Sequence, residues 1–196
     1  MPWDKDHKQR TRRRIVEAAA TAFRAHGVNG VGLTDIMQMA GLTHGGFYAH
    51  FESKDELIAS ALAFLNERRL ARFGERFVEA RHASALMGMA DLYLSSRHRE
   101  HPETGCAVSA LGGELAREDS RARRQLSKNI EAWLAQAELV APGSSARAKQ
   151  RNGTGAYAAM IGGIILARVT EDPHEADRIL EDVRAFLRAS FDAAQD

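Results

Sequence analysis

Apolar residues return at intervals of three and four along almost the whole chain, and hardly any segment alternates as a strand would. The first stripe lies in "RRRIVEAAATAFRAHG", where Ile15, Ala18, Ala19, Ala22 and Phe23 share one face and Gly27 supplies a stop. A short helix is predicted over 33–40, with Leu33, Ile36, Met37 and Ala40 on one side and Gly41 interrupting it. A second short piece follows over 44–50. Then "FESKDEL" marks a new start: Ser53 as N-cap with Glu56 three residues on spells a capping box. Behind it Leu57, Ala61, Phe64 and Leu65 begin a longer helix.

The remainder keeps the same period. Leu86, Met87, Ala90, Tyr93 and Leu94 predict a helix over 83–95, and "HPETG" a loop. Val108, Leu111 and Leu115 form a small stripe, and Leu126, Ile130, Trp133, Leu134 and Ala137 a stronger one that ends at "APGSSA". Two last helices are predicted over 146–169 and 173–191, divided by "EDPH". The fold class is all-α, with about nine helices. A three-helix amino-terminal domain over 9–69 precedes a helical domain over 70–196. The chain carries no internal repeat and no sustained heptad.

Total charge adds little, because the 196 residues are nearly balanced at +1, but its distribution matters. Residues 1–50 hold seven Lys or Arg (Lys5, Lys8, Arg10, Arg12, Arg13, Arg14, Arg24) against four acids. Residues 171–196 hold eight acids against three arginines. One end suits a polyanion and the other does not. Cys106 is the only cysteine, which excludes an intramolecular disulfide framework and a thiolate metal cluster. The amino end "MPWDKDHKQRTRRR" lacks the apolar run of a signal peptide. The longest apolar stretch, "AYAAMIGGIILA", is shorter than the roughly 18–20 residues of a membrane span. A soluble, cytoplasmic protein with no membrane contact is expected.

Two short helices around "MAGL" have the form of a helix-turn-helix, over 32–51. Gly41 fits the tight turn, Leu42 anchors it, and Thr43 is placed as N-cap of the second helix, whose first amides suit a phosphate. Gly45 and Gly46 fall in the first turn of that helix, each at a cost of roughly 1 kcal/mol in helix propensity relative to alanine. Their missing side chains let backbone approach base edges or phosphates. Tyr48 and His50 can donate to phosphate oxygens, and Lys54 adds a positive charge where a helix start disfavours one. Arg12 and its neighbours offer further backbone or minor-groove contacts.

These residues carry a resemblance. The segments "RRRIVEAAATAFRAHG", "DIMQMAGLTHGGFYAHF" and "SKDEL", in that order and spacing, resemble the DNA-binding domain of the TetR family of bacterial transcriptional regulators. The resemblance implies a homodimer that binds double-stranded operator DNA and releases it when a small-molecule effector enters the carboxy-terminal domain. Carried onto this chain, Thr43, His44, Gly45 and Gly46 occupy the start of the recognition helix. Tyr48, His50 and Lys54 are the phosphate-contacting positions. Where the family usually caps the second helix with Ser or Thr, this chain has Gly32, and Thr34 stands in for the contact. The last two helices are implied to form the dimer interface, here through Met160, Gly163, Ile164, Ala167, Val183, Phe186 and Leu187.

For the effector, Tyr93, His98, His101, Trp133 and Tyr157 are candidates, because each joins an apolar surface to a polar tip. Cys106 follows a glycine near a predicted helix start, where a thiolate is favoured, so a redox or electrophile-sensing repressor is the alternative. An enzyme is not expected: the histidines lack metal-ligand spacing, no HExxH occurs, and "GVNGVG" has no strand before it. No metal and no cofactor is implied.

Overall fold

Among residues 2–77 and 82–192, which the computed structural model describes, nine α-helices and two 3-10 helices follow one another. They are α1 (Pro2–His26), α2 (Leu33–Met39), a 3-10 helix at His44–Ala49, α3 (Lys54–Phe77), α4 (His82–Tyr93) and α5 (Ser96–Glu100). A 3-10 turn at Pro102–Thr104 leads to α6 (Ala107–Leu115), α7 (Arg121–Val140), α8 (Ala146–Val169) and α9 (Pro173–Asp192). The all-α architecture, a helix-turn-helix followed by a helical bundle, is the one that the apolar spacing predicts.

Three local departures have physical causes. Helix α1 begins at Pro2, so more than three turns precede Ile15, its first buried apolar residue among those described. Helix α5 is too short and polar to show a stripe; Ser95 caps it, its Oγ accepting the His98 amide at 3.3 Å. At the start of α3 only half of the predicted capping box forms. Ser53 Oγ accepts the Glu56 amide at 3.1 Å, but the Glu56 carboxylate turns back to the Glu52 amide at 2.8 Å.

The chain divides into two compact units, 1–70 with 103–129, and 71–102 with 130–196. The core of the first contains Ile15, Ala19, Phe23, Ile36, Met37, Phe47, Phe51, Leu57 and Leu62, and in the same unit Leu111, Leu115 and Ala122 are buried. Polar bonds fasten the later segment to the amino-terminal helices. Arg24 donates to the Gly105 carbonyl at 2.8 Å, and Glu114 accepts from both the amide and the side chain of Asn29 at 3.3 Å. The Asp55 carboxylate takes the amides of Arg121 and Ala122 at 3.0 Å, which makes a residue of α3 the cap of α7. Asp55→Ala should therefore cost about 1–2 kcal/mol in urea unfolding, with Asp55→Asn recovering much of it. Equal stability of the alanine variant would show that water replaces the cap.

In the second unit Leu86, Leu94, Trp133, Tyr157, Met160, Ile164, Leu180 and Leu187 are buried together with small residues that let helices approach. A Cβ at Gly153 would lie 3.1 Å from the backbone of α7 at Ala137 and Glu138, so a larger residue there would have to push the two helices slightly apart. Arginines close the outside. Arg168 donates to the His98 carbonyl at 2.7 Å, Arg184 to the Leu94 carbonyl, Arg99 pairs with Asp177 at 2.7 Å, and Arg188 with Asp91 at 2.6 Å.

Candidate nucleic-acid interface

The turn between α2 and the following 3-10 helix is built by one glycine. Gly41 has φ +66°, and the amides of Gly41 and Leu42 return to the carbonyls of Gln38 and Met37 at 2.8 and 2.9 Å. That pair of bonds is a Schellman closure, which needs a left-handed residue at its hinge. Arg14 braces it by donating to the Ala40 carbonyl at 2.6 Å. Thr43 stands extended at the N-cap position, but its side chain makes no capping bond.

The second element is 3-10 rather than α over His44–Ala49, closed by the bonds Gly46 to Thr43 (3.1 Å) and His50 to Phe47 (2.9 Å). Two glycines and a length of only six residues explain it, since an α-helix would gain too few bonds to hold them. The adjacent aromatics take opposite tasks. Phe47 is fully buried and stacks on Phe51 at 5.7 Å, while Tyr48 lies edge-on to Phe47 and is 68% exposed.

Around this element the exposed face carries Thr34, Thr43, His44, Gly45 and Tyr48. Thr34 Oγ1 and His44 Nδ1 are 3.3 Å apart, which ties α2 to the 3-10 helix at its outer edge. A Cβ at Gly45 would meet nothing within 4 Å, and one at Gly46 only the Met37 methyl at 3.7 Å. Neither glycine has positive φ. Nothing among the described residues requires them.

The cations behave less uniformly. Arg12 reaches Glu56 at 3.2 Å and Ser60 at 3.1 Å, with its guanidinium 4.4 Å over the Phe51 ring. Arg13 pairs with Glu17 at 3.1 Å. Lys54 donates to the Val31 carbonyl at 2.7 Å, a bond that offsets its poor place at the start of α3. His50 is half-buried, and its Nδ1 is buried without a hydrogen-bond partner among the described residues. Burial foremost, then Lys8, Arg12 and His7, hold its imidazole below the ordinary histidine range. The unfolded chain therefore binds the proton more tightly, so stability should fall as pH drops below about 6.5. His50→Gln should flatten that part of a pH–stability curve; an unchanged curve would assign it elsewhere.

The effector candidates do not converge on one site. Tyr93 and His98 form an edge-on pair at 4.4 Å, with His98 Nδ1 2.7 Å from the Tyr93 carbonyl. Trp133 and Tyr157 are buried in an edge-on pair at 5.2 Å. His101 is exposed. Cys106 is buried at the N-cap of α6 and belongs to the amino-terminal unit. Sequence reasoning missed Gln136, whose Oε1 is buried without a partner one turn beyond Trp133. The sequence signals it only as an amide side chain three residues after Trp133 on the same helix.

Of the seven candidate interface residues, Met160, Gly163, Ile164, Ala167 and Leu187 are buried within the chain. Gly163 faces Leu94 and Val183, where a Cβ would lie at 3.0 and 3.2 Å. The exposed apolar surface is the adjacent one, with Leu166 (59%), Val169 (77%) and Phe186 (64%), and open space at Gly162. Among the described residues no group of three or more His, Cys, Asp or Glu is placed to hold a metal ion. No helix among them is long and apolar enough to cross a membrane.

Comparison with known proteins sets this geometry in context. Residues 15–61 match the family model "Bacterial regulatory proteins, tetR family". The HTH-type transcriptional regulator TtgR of Pseudomonas putida is 44% identical over 73 residues, 36% of this chain and 35% of that one. That match thus spans about a third of the relative's length. An uncharacterized HTH-type transcriptional regulator of Mycobacterium tuberculosis is 24% identical over 191 residues, covering 93% and 97% of the two chains. The crystal structure of a TetR transcriptional regulator from Chloroflexus aurantiacus superposes with a TM-score of 0.77 at 25% identity, covering 94% and 95%.

Proposed function

We propose that this chain, which closely matches TetR-family transcriptional regulators by family model, sequence and fold, is a repressor that binds a palindromic operator as a homodimer and releases it on small-molecule binding. TetR-family regulators are non-catalytic DNA-binding proteins, and the chain acts by binding, not as an enzyme. Residues 9–69 serve as the DNA-binding domain and 70–196 as the effector and dimerisation domain, of which 103–129 packs in the amino-terminal unit as a support, and a cytoplasmic location goes with that role.

Gly45 carries this reading. A glycine that could accept a side chain in open space, on the exposed first turn of the second helix-turn-helix element, is explained by a surface that arrives from outside. Thr34, Thr43, His44, Gly46 and Tyr48 surround the point of approach, while His50, Lys54 and Arg12 supply positive or proton-donating groups behind it. Dimerisation buries the apolar face of Gly162, Leu166 and Val169 on α8 together with Phe186 on α9. The other candidate interface residues serve as its intrachain backing. Effector binding among the helices of 70–196, near Trp133, Gln136 and Tyr157, tilts α3. The two recognition elements then no longer match successive major grooves, about 34 Å apart.

Selection of duplexes from a random pool tests the reading. An enriched palindrome, bound by two copies of the chain and weakened steeply by salt, is expected. Failure to enrich any sequence over the starting pool would sink it.

A further inference from the structure

Helix α1 starts at Pro2, well ahead of the matched segment 15–61, and its first turns project cations that the fold does not use. Lys5, Lys8 and Arg10 are exposed, and none has an ion pair or hydrogen bond among the described residues. This contrasts with Arg12, Arg13 and Arg14, all of which are engaged.

Helical geometry sorts the three. Lys5 and Lys8 lie three residues apart, and Lys8 lies four before Arg12, so they share one face. Arg12 is stacked on Phe51, which turns that face toward the end of the recognition element. His50 is there, half-buried, with its Nδ1 enclosed and unpaired among the described residues and the other edge of its ring toward solvent. Arg10 lies about 200° round the helix from Lys8 and therefore points elsewhere. Asp6, four residues before Arg10, is on that other side as well.

We propose that the first two turns of α1 are a second DNA-contacting surface, in which Lys8, extended by Lys5, and His50 together seat a backbone phosphate beside the groove that the recognition element enters. The proposal rests on the DNA-binding reading and adds a contact outside the helix-turn-helix. A phosphate supplies a negative charge that Lys5 and Lys8 lack among the described side chains, and an acceptor for Nε2, the ring nitrogen of a protonated His50 that is not enclosed. The groups that face His50 are His7, Lys8 and Arg12 on α1, and no acid of α3 balances them freely, since Glu56 is held by Arg12 and the Glu52 amide. Burial and these cations therefore disfavour the charged His50 in the free protein, and a bound phosphate favours taking up a proton there.

The test uses the full chain and two probes, a duplex selected by the wild-type protein and a mixed-sequence duplex, with affinity measured against salt and pH. Lys8→Ala should make the slope of log affinity against log salt shallower by roughly 0.9 for each protomer engaged. The loss should be the same on both duplexes, because a phosphate contact reads no sequence. Lys8→Arg should restore the slope. Arg10→Ala removes the same charge and should leave the slope nearly unchanged. Wild-type affinity should rise as pH falls through the histidine range, and His50→Gln should remove that rise. Equal effects of Lys8→Ala and Arg10→Ala, or none from either, would overturn the proposal while leaving the DNA-binding reading intact. If the wild-type chain binds neither duplex, both fall together. Thermal melting separates these outcomes from misfolding, and it should not move for the exposed lysine and arginine variants.

Discussion

Gly45→Leu leaves the free protein folded and removes its grip on DNA. The glycine sits in an ordinary negative-φ conformation with nothing within 4 Å of where a Cβ would be, so an L-residue enters without strain. Gly45→Ala should even stabilise the chain by about 0.4–1 kcal/mol, because the unfolded state loses freedom while the folded state loses no contact. Leucine at the same place projects into the space that DNA must occupy. Losing one close base or phosphate approach costs about 1–3 kcal/mol, and a side chain that holds the whole element off costs more. An affinity loss of at least about a hundredfold on the selected duplex is expected, with an unchanged thermal midpoint. Wild-type affinity in the leucine variant would mean that this glycine has no DNA to meet.

Phe47→Ala should do the opposite, acting on the fold and only through it on DNA. Phe47 is 0% exposed, packed on Phe51 and against the edge of Tyr48, in the small core that positions the recognition element. Deleting a fully buried phenylalanine side chain costs about 3–5 kcal/mol, a large part of the roughly 5–15 kcal/mol that keeps a domain folded. For a chain of this size the midpoint should fall by about 6–20 °C. Tyr48→Phe is the contrasting variant. Its hydroxyl lies on an exposed residue and supports no packing, so the melt should stay put while DNA affinity drops. If Phe47→Ala melts like the wild type, the amino-terminal core does not depend on it.

Most of the helices were legible because each buries one stripe and leaves the rest in water, a pattern that survives in a single sequence. Helix α5 was not, because five polar residues bury no stripe and only Ser95 announces them. The 3-10 form of His44–Ala49 was hidden for a related reason. Spacing of three and four serves both helix types, and only the bonds distinguish them. On α8 the period misleads in another way. Met160, Ile164 and Ala167 face inward while Leu166 and Val169 face outward, so apolar residues on both sides leave no clue to which face packs within the chain. The pairs Tyr93–His98 and Trp133–Tyr157 depend on how separate segments meet, which no local pattern records. Lys8 was counted in the basic amino end but not singled out, because a charge run does not say which of its members the fold has already used.

The fastening of 103–129 onto the amino-terminal helices bears on protein engineering. A hybrid regulator made by moving only the first 70 residues onto a foreign sensor would strand Asp55 without the α7 amides and Asn29 without Glu114. Two discontinuous pieces, 1–70 and 103–129, have to travel as one cassette for the transplanted reader to keep its own supports.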